Sequence, residues 1–292
     1  MMPRKRLGRT DIELSTFGLG TVKFGRTQSL KYPETFNLPD DNQIRALLSC
    51  ARDMGVNFLD TAPSYGYSEE RLGEILRNER KQWVISTKVG EEFEADKFSD
   101  QGSSRFDFSA KHTRMSVERS LRRLRTDYLD LVLIHSDGND LEILHNTAAL
   151  TTLQQLKQEG WIRAFGISSK TLEGGLLAAE LCDAVMMMYN PAYRDEEAVI
   201  AKCAQQATSV LLKKVLASGH ICHDAPPVQA EHQESAAPQG QGNDMDPDPD
   251  PIQSALNFAY APSGVTSAII GTVNLQHLHA NLIKALRAQK LA

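Results

Sequence analysis

Four side chains that can carry or hold protons stand at or just beyond the ends of apolar segments: Asp60, Tyr65, Lys88 and His135. Asp60 ends VNFLD, Lys88 ends WVISTK and His135 ends YLDLVLIH. If these segments are parallel strands of a barrel, their carboxyl ends meet on one face, where polar residues are typically functional. A single lysine or histidine near a strand end is more often structural, but four such groups together favour a site for proton transfer.

The segments around these residues alternate between helical and extended patterns. Apolar residues recur at helical spacing through residues 42–54 and stop at Gly55, after which VNFLD has the pattern of a buried strand. The same unit recurs to the end of the chain. With FGLGT as the first strand, about eight strands alternate with helices, which predicts an α/β fold of the (β/α)8 TIM-barrel type. An open doubly wound sheet is the weaker alternative, because no GxGxxG turn follows any strand.

Two segments depart from this alternation. The opening residues, RKRLGRTDIELS, predict a short N-terminal β-hairpin that leads into the first strand. Residues 223–251 are rich in Pro, Gln, Asp and Gly and have no periodicity, which predicts a flexible loop. Because it follows the seventh strand, this loop is either a lid over the site or an insertion without a role. We expect one barrel domain over residues 1–292.

Composition narrows the class of partner. The formal net charge is −5 and the basic residues are scattered, which favours a small molecule over nucleic acid or a membrane surface. No apolar run predicts a secretory signal or a membrane span. The four cysteines are far apart and lack the spacing of metal ligands, so a cytoplasmic protein without a metal site is expected. The oligomeric state stays open.

Three segments resemble the catalytic segments of the aldo-keto reductase superfamily: DTAPSYGYSE at 60–69, STKVG at 86–90 and DLVLIH at 130–135. The similarity extends to GISS at 166–169, LASG at 216–219 and IIGTVNLQHLHAN at 269–281. It implies an oxidoreductase that reduces aldehydes or ketones to alcohols, or runs the reverse reaction, with hydride carried by an NAD(P)H cofactor and no metal. The partner would be a carbonyl compound or an alcohol.

The resemblance assigns a role to each proton-carrying residue. Tyr65 would be the general acid that protonates the carbonyl oxygen. A tyrosine pKa is ordinarily ~10, so the resemblance implies that the Lys88 ammonium lowers it toward the working pH. Asp60 would hold Lys88. His135 would donate a hydrogen bond that orients the carbonyl and stabilises its developing charge.

The resemblance also implies a set of cofactor-binding residues. Ser168 and Ser169 would hold the nicotinamide carboxamide, residues 216–219 would lie along the pyrophosphate, and residues 271–281 would hold the adenosine end. The full set is Gly20, Thr21, Ser168, Ser169, Met186, Lys213, Lys214, Leu216, Ser218, Gly219, Gly271, Thr272, Asn274, His277 and Asn281.

Several of these positions differ from the family pattern. Met186 stands where a glutamine usually reaches the nicotinamide. Gly271 and His277 stand where a lysine and an arginine grip the 2′-phosphate in many relatives. His277 replaces the arginine only in part, because it is mostly neutral at pH 7 and cannot make a bidentate contact, so NADPH stays the favoured cofactor with NADH as the alternative. Lys213 replaces a stacking tyrosine, and we hypothesise that its charge shifts the bound cofactor toward the reduced form. Alternatively, Lys213 points away and Lys214 or the loop lies nearer the ring.

Two other functions and the substrate pocket stay open at this stage. Lys88 could form a Schiff base with a carbonyl substrate, as in aldolase-like barrels. The chain could also be a nicotinamide-binding, redox-sensing regulatory subunit without turnover. The pocket itself would be shaped by Lys23, Phe24, Tyr67 and a loop over residues 91–110 with Phe106 and Phe108.

Overall fold

The computed structural model describes residues 1–33, 35–96, 101–222 and 250–291. Its strands are β1 (Arg4–Arg6), β2 (Glu13–Ser15), β3 (Phe17–Gly20), β4 (Phe58–Asp60), β5 (Val84–Val89), β6 (Glu91–Ala95), β7 (Gly102–Phe106), β8 (Leu129–His135), β9 (Ile162–Ser168), β10 (Ala184–Met188), β11 (Ser209–Lys213) and β12 (Val265–Ile270). Its α-helices are α1 (Asp41–Asp53), α2 (Ser68–Ile75), α3 (Ala110–Arg123), α4 (Asp140–Asn146), α5 (Ala149–Gln158), α6 (Leu172–Leu181), α7 (Glu197–Gln206), α8 (Pro251–Tyr260) and α9 (Leu275–Leu291).

Eight of the strands form a closed barrel in the order β3, β4, β5, β8, β9, β10, β11, β12. Every neighbouring pair is parallel, and β12 pairs with β3 to close the ring. The predicted (β/α)8 barrel is therefore confirmed, and the closed ring excludes the open doubly wound sheet. Parallel strands also require that all their carboxyl ends lie at one end of the barrel.

The predicted N-terminal hairpin is also confirmed, with β1 antiparallel to β2. Its apolar residues Leu7, Ile12 and Leu14 are buried in one cluster with inner barrel residues such as Leu131 and Leu133. The hairpin thus closes the interior of the barrel, because its side chains pack against the inward-facing positions of the strands. A second, larger cluster lies between the barrel and its helices.

Three segments differ from the pattern that the sequence predicts. Glu91–Ala95 and Gly102–Phe106 form the antiparallel pair β6–β7, where the sequence predicts a loop, and α4 is an additional short helix. The hairpin strands EEFEA and GSSRF are largely exposed, so they lack the apolar alternation that reveals a half-buried strand. Of the predicted loop 223–251, residues 223–249 lie outside the described residues.

The last two residues of that predicted loop belong to the next helix instead. The Asp250 side chain accepts a hydrogen bond from the Gln253 backbone N–H at 3.0 Å, and Pro251 is the first residue of α8. An aspartate before a proline is a favourable helix start, because proline lacks the N–H that would otherwise need a partner. In the part of the chain that the model describes, no helix is both long and apolar enough to cross a membrane.

Candidate active site

The barrel brings the four proton-carrying residues together at its carboxyl end. Asp60 and His135 are the last residues of β4 and β8, and Lys88 is the penultimate residue of β5. These strands are neighbours in the order β4, β5, β8, with Asp60 opposite Ser86 and Lys88 opposite Leu133. The three side chains therefore come from adjacent strand ends, and Tyr65 joins them from the turn after β4.

Lys88 is the centre of the group. The residue is 1% exposed, and Nζ lies 2.8 and 2.9 Å from the two carboxylate oxygens of Asp60 and 3.2 Å from the Tyr65 hydroxyl. It also donates to the Thr61 carbonyl oxygen at 2.9 Å. Burial alone would lower the pKa of Lys88, but Asp60 and Tyr65 together raise it above its ordinary value. Lys88 is thus a buried ammonium that contacts the tyrosine hydroxyl.

A tight turn places Tyr65 beside this ammonium. The Tyr65 backbone N–H donates to the Ala62 carbonyl oxygen at 3.0 Å, and the next residue, Gly66, has a φ of +60°. A Cβ on Gly66 would lie 2.1 Å from the Gly25 carbonyl oxygen. The turn needs glycine here, both for the left-handed conformation and for its close contact with the loop after β3.

Burial dominates the acidity of Tyr65. It raises the pKa, Lys88 lowers it, Asp60 and Glu91 raise it further, and the net result is a pKa of about 12. Lys88 thus lowers the pKa of Tyr65 as expected, but desolvation of the phenolate outweighs the ammonium, so the net pKa lies above its ordinary value rather than nearer the working pH. Near neutral pH Tyr65 keeps its proton and is a hydrogen-bond donor.

His135 faces the Tyr65 ring edge to face, with centroids 6.4 Å apart and an interplanar angle of 84°. On its other side, Nδ1 lies 2.6 Å from Oε2 of Glu91, a residue that the sequence analysis did not single out. The Ser104 hydroxyl donates to Oε1 of Glu91 at 2.6 Å. The sequence offers one indication that Glu91 belongs to the site: it directly follows Gly90 at the end of the STKVG segment.

The predicted nicotinamide residues Ser168 and Ser169 lie at the end of β9, beside His135, which pairs with Ser168. Lys213 at the end of β11 points toward them rather than away. Its Nζ donates to Oγ of Ser168 and to the carbonyl oxygen of Ser169, both at 2.8 Å. Burial lowers the pKa of Lys213 to about 8, although Glu196 opposes that shift.

The predicted pyrophosphate segment leads into a short 3₁₀ turn, Ala217–Cys222, which follows β11 after residues 214–216. Ala217, Ser218 and Gly219 all have a positive φ, and the Gly219 N–H donates to the Leu216 carbonyl oxygen at 2.7 Å. Lys214, which lies between β11 and this turn, is exposed and also has a positive φ. Successive residues in the left-handed region turn the backbone sharply, which suits close approach to an anion.

The predicted adenosine segment leads into α9. Asn274 stands just before the helix and accepts a hydrogen bond from the His277 N–H at 3.0 Å, and Thr272 accepts one from the Asn274 N–H at 3.1 Å. His277 is exposed, whereas Asn281 is 5% exposed. A Cβ on Gly271 would lie 3.0 Å from the Gly20 carbonyl oxygen, so the ends of β12 and β3 approach closely.

Two predicted cofactor residues have side chains that contact the protein itself. The Thr21 hydroxyl donates to the Asp60 carbonyl oxygen at 2.9 Å and accepts from the Ser68 hydroxyl at 2.8 Å, so it supports the turn that carries Tyr65. Met186 is 2% exposed and packs in the interior cluster of the barrel. Its backbone oxygen accepts from the Ser169 N–H at 2.9 Å.

The residues expected to shape the substrate pocket differ in their burial. Phe24 is fully buried in the large core cluster and cannot line a pocket in this conformation. Lys23 places Nζ 3.7 Å from the centroid of the Tyr32 ring, and Tyr67 is 69% exposed. The rings of Phe106 and Phe108 are stacked with centroids 6.1 Å apart, at the base of the β6–β7 hairpin.

The donor set at this end of the barrel fits a nicotinamide dinucleotide. Serine hydroxyls suit a carboxamide, and a turn with positive φ angles and the first turn of a long helix both suit phosphates. Within the described ranges, no three His, Cys, Asp or Glu side chains are grouped so that they could hold a metal ion.

Comparison with known proteins identifies the family. The model of the Aldo/keto reductase family matches residues 16–290 of the chain, which includes every barrel strand. The chain belongs to the aldo/keto reductase family. A crystal structure from Pseudomonas aeruginosa that is assigned to the aldo-keto reductases is 44% identical, with a TM-score of 0.80, covering 98% of this chain and 94% of that one.

Curated relatives of this aldo/keto reductase include oxidoreductases. The uncharacterized oxidoreductase YqkF of Bacillus subtilis is 27% identical, over 99% of this chain and 93% of its own length. The L-galactose dehydrogenase of Arabidopsis thaliana is 25% identical, over 98% of this chain and 89% of its own.

Proposed function

We propose that this aldo/keto reductase interconverts carbonyl compounds and alcohols by hydride transfer with NADPH, with NADH as the alternative cofactor. Tyr65 is the general acid for reduction and the general base for oxidation. The observation that carries the proposal is the buried Lys88 ammonium, which contacts both the Asp60 carboxylate and the Tyr65 hydroxyl. A barrel with this contact at its carboxyl end has a proton donor where substrates bind.

The residues of the site divide the chemistry between them. A bound nicotinamide supplies or accepts the hydride. Tyr65 donates its proton to the carbonyl oxygen as the oxygen becomes negative, and Lys88 stabilises the phenolate that remains. Asp60 keeps Lys88 in place. His135, whose ring stands edge to face with that of Tyr65, gives the oxygen a second hydrogen-bonding partner.

The same geometry bears on the alternative functions. A lysine that forms a Schiff base must be neutral to attack a carbonyl, and the pKa of Lys88 is raised above its ordinary value. The hydrogen bonds from Nζ to Asp60 and Thr61 also hold it within the protein. The regulatory-subunit alternative shares the cofactor residues and differs only in turnover, so experiment must separate the two.

A combined binding and turnover assay tests the proposal. Binding of NADPH, NADP⁺, NADH and NAD⁺ is measured by protein fluorescence, and reduced nicotinamide is then followed by absorbance with aldehydes, ketones and aldose sugars. We expect binding and turnover, with NADPH preferred. Binding of a cofactor without turnover of any substrate in either direction would favour the regulatory subunit. Borohydride trapping of a substrate on Lys88 would favour the Schiff-base enzyme.

Lys213 should set the balance between the two redox states of the bound cofactor. Oxidised nicotinamide is a cation, so an ammonium near it disfavours binding of that state. In Lys213→Met we expect the ratio of the oxidised to the reduced cofactor's Kd to fall by about tenfold, since charges about 4 Å apart interact by about 1 kcal/mol in bulk water and about 4 kcal/mol at an effective dielectric constant of ~20.

The pH dependence of the ratio of the oxidised to the reduced cofactor's Kd gives a second check on the role of Lys213. Burial lowers the pKa of Lys213 to about 8, so the ammonium is present below that pH and lost above it. The difference between wild type and Lys213→Met should therefore disappear as the pH rises through about 8. Lys170→Met removes an exposed neighbouring charge and serves as the control. Equal ratios in wild type and Lys213→Met at pH 7 would refute the role of Lys213.

A further inference from the structure

The carboxylate of Glu91 lies against Nδ1 of His135, which leaves Nε2 as the ring nitrogen that could hydrogen-bond to a substrate. Oε2 of Glu91 is 2.6 Å from Nδ1 of His135, which is ion-pair distance, although the contact does not have the alignment of a full hydrogen bond. Glu91 is the first residue of β6, directly after the turn that follows β5. The contact therefore joins the β6–β7 hairpin, which the barrel pattern does not require, to a residue at the end of a barrel strand.

Glu91 is itself held in place and charged. Its side chain is 12% exposed, and the Ser104 hydroxyl on β7 donates to Oε1 at 2.6 Å. Burial would raise the pKa of Glu91, but His135 and the hydroxyl donors lower it far below its ordinary value. An ionised carboxylate can only accept hydrogen bonds, and a lone pair on Nδ1 at 2.6 Å would repel it, so this contact favours a proton on Nδ1 of His135.

The protonation state of the His135 ring determines whether its other nitrogen, Nε2, can donate or accept a hydrogen bond. A neutral ring carries one proton, and when that proton is on Nδ1, Nε2 has a lone pair and can only accept. Only the doubly protonated imidazolium can donate from Nε2 while Nδ1 stays bonded to Glu91. A carbonyl oxygen needs a donor, whereas a substrate hydroxyl can meet an acceptor.

We propose that Glu91 is a positioning residue that keeps a proton on Nδ1 of His135, so that Nε2 donates to a carbonyl oxygen only when the ring is an imidazolium. The neutral ring instead offers Nε2 as an acceptor for a substrate hydroxyl. This inference rests on the proposed function for its kinetic consequence. The position of the proton itself does not depend on cofactor or turnover.

The charged groups around the His135 ring shift its pKa in opposite directions. Burial lowers the pKa of His135 below its ordinary value, Glu91 raises it, and the ammonium groups of Lys88 and Lys213 lower it, with a net lowering. Tyr65, the remaining titratable group against the ring, is neutral near pH 7. The imidazolium is thus present at acidic pH and is lost as the pH rises through this lowered pKa.

Glu91→Gln separates a role in proton placement from a role in folding. The glutamine amide has the same shape but can donate to Nδ1, which moves the single proton of the neutral ring to Nε2. Nε2 would then donate without any need for the imidazolium. The matched control is Glu92→Gln, because the neighbouring Glu92 contacts a different histidine, His112, with Oε1 3.2 Å from Nε2.

Imidazole nitrogen NMR reads the proton position directly in the protein without ligands, with His135→Asn used to assign the signal. In wild type above the pKa we expect the His135 proton on Nδ1, and in Glu91→Gln we expect it on Nε2. Glu92→Gln should move the His112 signal and leave that of His135 unchanged. A wild-type proton on Nε2, or a His135 signal that Glu91→Gln does not change, would overturn the proposal.

The pH profile of carbonyl reduction gives the kinetic readout. One pH unit above the His135 pKa measured by NMR, wild type should retain about a tenth of its plateau rate, because the imidazolium fraction falls about tenfold per unit. The rate of carbonyl reduction by Glu91→Gln should change by less than about twofold over the same pH range. If the rates of wild type and Glu91→Gln fell equally with rising pH, the kinetic part of the proposal would be overturned. If wild type showed no turnover at all, the proposed function would fail while the NMR result could still stand.

Discussion

Tyr65→Phe should reduce the rate of carbonyl reduction by about 10²–10⁴-fold, the usual contribution of a positioned general acid. The substitution removes only the hydroxyl that lies 3.2 Å from Lys88 Nζ and keeps the ring that faces His135. Cofactor affinity should stay within about twofold of wild type, because no predicted cofactor contact involves the Tyr65 hydroxyl. Steady-state rates and fluorescence titration measure the two effects separately.

The control for this variant is Tyr128→Phe. Tyr128 directly precedes β8 and so lies at the opposite end of the barrel from the site, where its ring contacts Arg80 with the guanidinium carbon 4.4 Å from the centroid. A phenyl ring preserves that contact, so activity should be unchanged. Wild-type activity in Tyr65→Phe would show that another group supplies the proton.

Lys88→Met should remove both activity and stability. Without the ammonium, the pKa of Tyr65 rises further, and the phenolate formed in reduction loses its only adjacent cation among the contacts described, so we expect at least about a 10²-fold loss of rate. The Asp60 carboxylate, 4% exposed, is left without its partner, which costs about 3–5 kcal/mol in the free energy of unfolding. Kinetics and urea denaturation measure the two losses.

A double variant distinguishes the catalytic charge from the structural one. Asp60→Asn combined with Lys88→Met removes both buried charges, so most of the lost stability should return. Activity should not return, because the cation beside Tyr65 is still missing. Recovery of activity together with stability would mean that Lys88 only supports the fold.

The positions of Asp60, Lys88 and His135 could be predicted because the barrel alone determines them. Each ends an apolar segment, the segments are parallel, and parallel strands in one barrel share an end. The sequence pattern therefore predicted the fold and the three residues that the strands contribute to the candidate site. Tyr65 depended on the family resemblance, since its place in a turn between β4 and α2 follows from the packing of Gly66 against Gly25.

The acidity of Tyr65 and the role of Glu91 could not be predicted in the same way. A tyrosine beside a lysine suggests a lowered pKa, but the extent of burial is a tertiary property, and burial prevails here. Glu91 begins a polar hairpin whose strands have no apolar alternation, so nothing in the local pattern indicated that it folds back onto His135. Both depend on contacts between segments that are distant in sequence.

Isotope transfer tests the central claim most directly. The protein is given reduced cofactor that carries deuterium at the transferring position of the nicotinamide, together with an aldehyde that it turns over, and the alcohol product is analysed by mass spectrometry. We predict one deuterium on the carbinol carbon in wild type, and in Tyr65→Phe a yield of the same labelled alcohol that is lower by about 10²–10⁴-fold. Alcohol formed by wild type without deuterium on that carbon would contradict direct hydride transfer and with it the proposed function.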